Sequence, residues 1–300
     1  MLKESQSPTR VIHINEKSIL CYDDLGNNID LTTVNSFGEE WKAFHGFEDA
    51  ELQKIGDTYF DIINPGMLGK EKIAADFGCG SGRWSKYLHD KVGAIAAIDP
   101  SEAVIAAGQL LKGVDNVQLY KASISNLPFP DNYFDFGFSL GVLHHIPDTK
   151  QAMADCVRKV KKDGYFLVYL YYALDNRGPL FKMLFGISNL VRRMVSRMRP
   201  GLKKFTCDLM AIFFYMPFVL LSRLLKILGL PKRIRAKIPL NAYEPVSFYI
   251  IRNDALDRFG TPLEQRFSRK EITAMMQDAG LSEIVFSERT PYWHAVGKKL

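Results

Sequence analysis

The chain lacks any apolar run of the roughly 18–20 uncharged residues that a membrane-spanning helix needs, so no spanning segment is expected. It also has few cysteines. Cys21, Cys79, Cys156 and Cys207 lie far apart and form no metal-ligand spacing, so no metal site is expected. That pattern favours a reducing cytoplasm, with the thiols packed as small apolar groups. Met1–Arg10 is polar and has no apolar h-region, so no secretory leader is expected there. Acid is nearly absent from one segment. Between Arg177 and Leu240 there are fourteen Lys or Arg against Asp208 alone, a net +13. The other 236 residues then carry −7 of the chain's overall +6. Charge so divided equips one segment to meet an anionic surface or ligand.

What is present is an ordinary folding composition, 47% hydrophobic and 24% charged. Val11–Ile14 and Ser18–Tyr22 read as two short strands before the turn-rich Asp24–Asn28, an extension over 1–35. Phe37, Trp41, Phe44 and Phe47 recur at helical spacing in the aromatic stretch to Phe60, predicting one or two helices. From Lys72 strands and helices alternate. Strands are expected at Ile73–Phe77, Ala94–Ile98, Val117–Tyr120, Phe134–Leu140 and Tyr165–Tyr172, with helices at Arg83–Lys91, Glu102–Leu111 and from Pro147-Asp148 to about Val160. Such alternation implies a parallel sheet covered on both faces. It stops at 177 and resumes near 266, with Ser268 able to N-cap a helix from Arg269 to Ala279 and two strands, Glu283–Ser287 and Tyr292–Gly297, closing the chain. A core over 36–176 and 266–300 is thus interrupted by a helical insertion at 177–265.

Between the first core strand and its helix stands Asp76-Phe77-Gly78-Cys79-Gly80-Ser81-Gly82. Glycines there let backbone turn sharply and approach a ligand closely. A dinucleotide fingerprint wants its third glycine where Arg83 stands, which disfavours an NAD-dependent oxidoreductase. Asp99, followed by Pro100, closes the second core strand, where an acid can accept hydrogen bonds from a ribose diol.

Together with Ile98–Ser101, Leu127–Asp135 and Val142–Asp148, the run Ile73–Gly82 resembles the ordered motifs of class I S-adenosylmethionine (SAM)-dependent methyltransferases of the small-molecule type. The resemblance is strong over about 72–172 and weak over 267–300. It implies a Rossmann-like α/β fold with a seven-stranded, mainly parallel sheet, the last strand antiparallel, and SAM as cofactor. Asp76, Gly78 and Gly80 would line the methionine end, Asp99 would hold the ribose hydroxyls and Leu140 would close the pocket, with Cys79, Gly82 and Pro100 also among the cofactor-binding residues. Ser123 stands where relatives usually carry an Asp for the adenine amino group; a neutral hydroxyl accepts less strongly, and Ile124 beside it could pack on the adenine face. His144 and His145 follow the fourth core strand, and either imidazole could take a proton from an acceptor. In the resembling families the first of such a pair more often faces substrate, which favours His144. The Asn/Asp-Pro-Pro-Tyr/Phe mark of amino-nitrogen methylation on adenine bases is absent after that strand, so nucleic acid is a poor expectation.

In the insertion, Ile187, Val191, Met194, Val195 and Met198 share one helical face and Arg192, Arg193, Arg197 and Arg199 the other. Leu209–Leu221 is a thirteen-residue apolar run, too short as a helix for a bilayer core, with Pro217 expected to kink it. It reads as a buried helix of a substrate cap or as a membrane-interface element. The sequence therefore predicts a SAM-dependent methyltransferase acting on a small, apolar or lipid-linked acceptor, cytoplasmic and with peripheral membrane contact through 177–240. The alternative is a non-catalytic SAM-binding regulatory or interaction protein.

Overall fold

A computed structural model describes residues 2–42, 49–175, 178–235 and 238–300. The chain divides into two compact units, Met1–Asn176 with Leu263–Leu300, and Arg177–Pro262.

The first unit is built on β1 (Arg10–Ile14), β2 (Lys17–Cys21), β3 (Gly69–Phe77), β4 (Val92–Ile98), β5 (Val117–Lys121), β6 (Phe134–Leu140), β7 (Val160–Tyr169), β8 (Leu281–Phe286) and β9 (His294–Lys299). Their order in the sheet is β1-β2-β5-β4-β3-β6-β7-β9-β8. Among the described residues the sheet has nine strands, a correction to the expected seven. β1 and β2 pair antiparallel, and β2 lies parallel to β5, so the N-terminal strands extend the sheet. β9 runs antiparallel to both β7 and β8. β7 stops at Tyr169, three residues before its expected end.

The helices of this unit are α1 (Leu31–Lys42), α2 (Asp49–Tyr59), α3 (Arg83–Leu88), α4 (Ala103–Leu110) and α5 (Thr149–Lys159), with a last one, Arg269–Asp278, before β8. Of the aromatic stripe, Phe44 and Phe47 and the side chain of Trp41 fall outside what the structure describes. Side chains alternate along each strand. Ala74, Ile95, Phe136, Phe138 and Leu167 pack with α2, α3 and α4 on one face. Ala75, Ala96, Phe77, Phe166 and Val168 pack with α5 and the Arg269–Asp278 helix on the other. Local signals set the helix starts: Asp148 accepts from Gln151 N, and Ser268 with Glu271 forms a reciprocal capping box.

The second unit holds α6 (Pro179–Val195), α7 (Pro200–Met210), α8 (Met216–Ile227), α9 (Lys232–Arg235) and α10 (Phe248–Gly260); the Arg269–Asp278 helix is then α11. α7 and α8 are joined by a π-helical turn, Ala211–Tyr215, into one continuous helix, Gly201–Ile227. Pro217 thus does not end the helix. It lacks an N–H, and its ring crowds the carbonyl four residues back, at Phe213; the wider π turn lies at that position. Val195, Cys207, Ala211, Tyr215, Val219, Ile251, Ala255 and Phe259 form the core of this unit. Arg192 departs from the expected basic outer face. It is buried, donating from Nε to Asn189 Oδ1 (2.9 Å) and from Nη1 to Thr261 O (2.9 Å) and Pro262 O (3.2 Å) at the end of α10. Val195 is likewise buried and Met198 packs on the core, whereas Ile187, Val191 and Met194 are exposed.

Candidate active site

Strand order reverses between β3, from which the chain runs outward through β4 and β5, and β6, from which it runs through β7. Ligands of open α/β sheets bind at the carboxyl ends of strands at such a switch point. The two strands are tied there by Ser139 Oγ donating to Phe77 O at 2.7 Å.

The β3 loop is shaped by its glycines. Gly78 has φ +83°, and a Cβ on it would meet Val142 Cγ1 at 2.4 Å, so the loop after β6 packs directly on this residue. Gly82 has φ +78° and is backed by Ala107 of α4 and Leu111 just beyond it. The loop's amides are mostly spent. Gly78 N and Cys79 N donate to Ile98 O, Gly80 N to Asp99 Oδ2 (2.9 Å) and Gly82 N to Cys79 O. They make a contoured wall with few free donors, unlike a pyrophosphate cradle, and this supports setting NAD aside. Cys79 is buried, and burial pushes its thiol well above the ordinary range, so it serves as wall.

Asp76 is fully buried at the end of β3. Its Oδ2 accepts from Ser85 Oγ at 2.8 Å, while Oδ1 has no partner among the described residues. Burial, with a smaller contribution from Asp99, pushes its carboxyl up to about 7 against the acidifying bond from Ser85. Ser81 Oγ, also buried, has no partner among the described residues. An unpartnered carboxylate oxygen and hydroxyl in a buried glycine loop fit the ammonium and carboxylate of an amino-acid ligand. Leaving either bare costs about 1–3 kcal/mol. These residues suit the methionine end of SAM.

Asp99 accepts three hydrogen bonds, from Gly80 N, Ser101 N (2.8 Å) and Ser101 Oγ (2.6 Å). A carboxylate has about four acceptor sites, so room remains for one ribose hydroxyl, and for a second only if the Ser101 hydroxyl turns away. Pro100 beside it is half-buried. Ser123 Oγ accepts from Ser125 N, capping the short helical turn Ile124–Asn126. The hydroxyl expected at adenine therefore already has a structural task. Ile124 is buried in the core cluster with Tyr22 and Tyr120, and Leu140 is buried at the end of β6.

The two histidines separate in role. His145 Nδ1 lies 2.7 Å from Leu263 O, and its ring meets Phe37 edge-on at 4.9 Å, so it fixes the loop. His144 is fully buried, and neither ring nitrogen has a partner among the described residues. It stacks on Tyr171 at 3.9 Å, with Tyr169 at 6.5 Å. Burial, aided by the adjacent His145 and by Arg266, holds its imidazole well below the ordinary range, so it is neutral and, while so enclosed, a weak base. The aromatic wall continues from Tyr169 to Tyr59 (5.2 Å) and on to Trp84 (4.8 Å).

Sequence reasoning missed Ser81, Ser85 and the pair that Asp61 makes with the buried His294. His294 Nε2 lies 2.7 Å from Asp61 Oδ1 and its Nδ1 2.7 Å from Pro291 O, with Ser287 Oγ donating to Asp61 Oδ2. Partners 233 residues apart leave no local signal. Ser85 could have been found: it lies in the first turn of the helix that follows the glycine loop.

The Methyltransferase domain family matches residues 75–168. The demethylmenaquinone methyltransferase of Staphylococcus epidermidis is 31% identical over 163 residues, 52% of this chain and 65% of that one. The ubiquinone biosynthesis O-methyltransferase of Pseudomonas fluorescens is 30% identical over 172 residues, 55% of this chain and 68% of that one. The chain spans about half to two-thirds of the length of the curated relatives it matches. In fold it is similar to human N-acetylserotonin methyltransferase in complex with SAM, at TM-score 0.50 and 15% identity over 88% of this chain and 56% of that one. Motif order, switch-point loop and relatives agree: the chain belongs to the class I S-adenosylmethionine-dependent methyltransferases.

Proposed function

We propose that this protein transfers the methyl group of SAM to a small acceptor with an apolar or lipid-linked body, and that His144 takes the proton of a hydroxyl acceptor. The observation that carries the reading is the fully buried His144, four residues past the end of β6 in the switch-point loop, whose two nitrogens have no partner among the described residues and so are open to an acceptor. SAM supplies an activated methyl on a sulfonium that departs as a neutral thioether. The chain's own work is alignment, exclusion of water and proton removal. Asp76, Ser81 and the Gly78–Gly82 loop hold the cofactor's amino-acid end, and Asp99 a ribose hydroxyl. Tyr59, Trp84, Tyr169 and Tyr171 provide an aromatic wall suited to a flat, apolar ring. As the acceptor oxygen bonds to the methyl carbon, its proton passes to a nitrogen of His144. Both named relatives act in quinone biosynthesis by their names, which supports an acceptor of that polarity.

The test combines calorimetry with transfer of labelled methyl to a catechol or quinol bearing a short isoprenoid tail. SAM and S-adenosylhomocysteine bind and NAD does not. His144→Ala lowers turnover by roughly 10²–10⁴ with cofactor affinity nearly unchanged. NAD binding without SAM binding overturns the cofactor reading, and full turnover of His144→Ala on a hydroxyl acceptor removes the base.

A further inference from the structure

The second compact unit leaves much of its apolar surface uncovered. On the helix Gly201–Ile227, Cys207, Ala211, Tyr215, Val219 and Ser222 recur every three or four residues and are buried within the unit. That stripe accounts for one face. The opposite face is also apolar and lies in solvent: Phe213 is 66% exposed, Phe214 65% and Ile227 81%. On α6, Met183, Ile187, Leu190 and Met194 form a second exposed apolar stripe at helical spacing. Scattered exposed apolar residues are ordinary; two continuous stripes mark a docking surface.

Charge indicates what docks. Exposed Arg193, Arg197, Arg199 and Lys204 cluster where α6 gives way to α7. Exposed Lys226, Lys232 and Arg233 cluster at the other end of the long helix. Between the clusters, over residues 205–222, that helix carries one charge, Asp208, which is paired with Arg252 through two bonds of 2.7 and 2.6 Å. An apolar stretch flanked at both ends by cations matches the layer where acyl chains meet anionic headgroups.

The helix is long and apolar enough, by length and composition, to cross a membrane. Its own packing argues against crossing. Tyr215, near its midpoint, donates to Asp254 of α10 at 3.3 Å, and Ser222 donates to Glu244, which pairs with Arg235. A spanning orientation would carry these carboxylates toward the bilayer centre, where charge is costly. An in-plane orientation lets the Phe213–Phe214 side enter the acyl boundary and leaves the charged α10 side outside it.

We propose that the exposed apolar side of the Gly201–Ile227 helix, with the cations at its two ends, lies in the plane of an anionic membrane and holds the protein at its surface. The surface reading stands whether or not the acceptor is itself a lipid, and vesicle binding and methyl transfer are scored separately.

The experiment is sedimentation of the full chain with phosphatidylcholine vesicles, with and without about a third phosphatidylglycerol, at low salt and in about 0.5 M salt. Binding is expected to the anionic vesicles and to weaken in salt. The triple variant Arg193→Gln, Arg197→Gln, Arg199→Gln is expected to lower partitioning by about 100-fold, near fivefold per charge. Phe213→Ser with Phe214→Ser is expected to lower it at least tenfold at either salt. Calorimetric SAM binding reports on the first unit of each variant and circular dichroism on helix content. Wild-type protein remaining in the supernatant with anionic vesicles at low salt overturns the proposal. So does sedimentation velocity that shows an oligomer dissociated by the Phe213→Ser, Phe214→Ser pair while vesicles are not bound, because the face then belongs to a second copy.

Discussion

Asp76 should make SAM affinity strongly pH-dependent, in a direction opposite to its effect on the stability of the ligand-free protein. Its carboxyl is fully buried with one oxygen held by Ser85 and the other bare, and its ionisation is pushed from 3.8 up to about 7, chiefly by burial. That rise corresponds to about 4 kcal/mol of preference for the neutral form. Between pH 3.8 and about 7 the folded chain binds the proton that the unfolded chain has lost. Ligand-free stability therefore falls as pH rises through this window and levels off above it, with Asp76 costing at most about 4 kcal/mol at pH 8. An ammonium group at Oδ1 reverses the preference by favouring the carboxylate. Below pH 7 the site must first release its proton, so the dissociation constant for SAM should rise about tenfold for each unit the pH falls. Asp76→Asn keeps shape and removes charge. It should raise the melting temperature of the ligand-free protein at pH 8, weaken SAM binding there by about 10–100-fold, and flatten the pH dependence. Calorimetry across pH 5.5–8.5 with parallel thermal melts measures both. Wild-type affinity that is flat from pH 6 to 8, or Asp76→Asn binding SAM as the wild type does, would refute the assignment of Asp76 to the cofactor's ammonium.

The parts of the fold that were legible share one property: their signals are local. The β6 limits, Phe134–Leu140, match expectation because a buried parallel strand is a short apolar run between breakers. Asp148 and Ser268 cap because a short polar side chain reaches the next amides regardless of tertiary context. The glycine loop was legible as a unit, because the left-handed backbone at Gly78, Gly80 and Gly82 is a local demand that glycine meets. What was missed depends on distant partners. β2 has the pattern of any half-buried strand, and only Leu119–Lys121 opposite it turns an extension into part of the sheet. Ser123 is at its expected motif position, yet Ser125 N claims its hydroxyl. Helical-wheel reasoning placed Arg192 outside with its neighbours. The carbonyls of Thr261 and Pro262, 69 and 70 residues on, draw it inside.

Two further substitutions probe these placements. Gly78→Ala forces a Cβ to within 2.4 Å of Val142 Cγ1 at φ +83° and should abolish measurable SAM binding in calorimetry; retained affinity would show that the loops after β3 and β6 yield independently. Arg192→Gln tests whether the insertion's basic residues form one set. The guanidinium is buried and satisfies two carbonyls just beyond the last turn of α10, while Arg193 and Arg197 next to it in sequence are exposed. Removing a charged donor from buried acceptors costs about 1.5–3 kcal/mol. Chemical denaturation followed by helix signal should therefore show loss of stability for Arg192→Gln and almost none for Arg193→Gln, whereas vesicle binding should respond in the reverse order. Equal effects of the two substitutions in both assays would mean that Arg192 shares the exposed face with its neighbours, and the carbonyl anchor at the end of α10 would have to be abandoned.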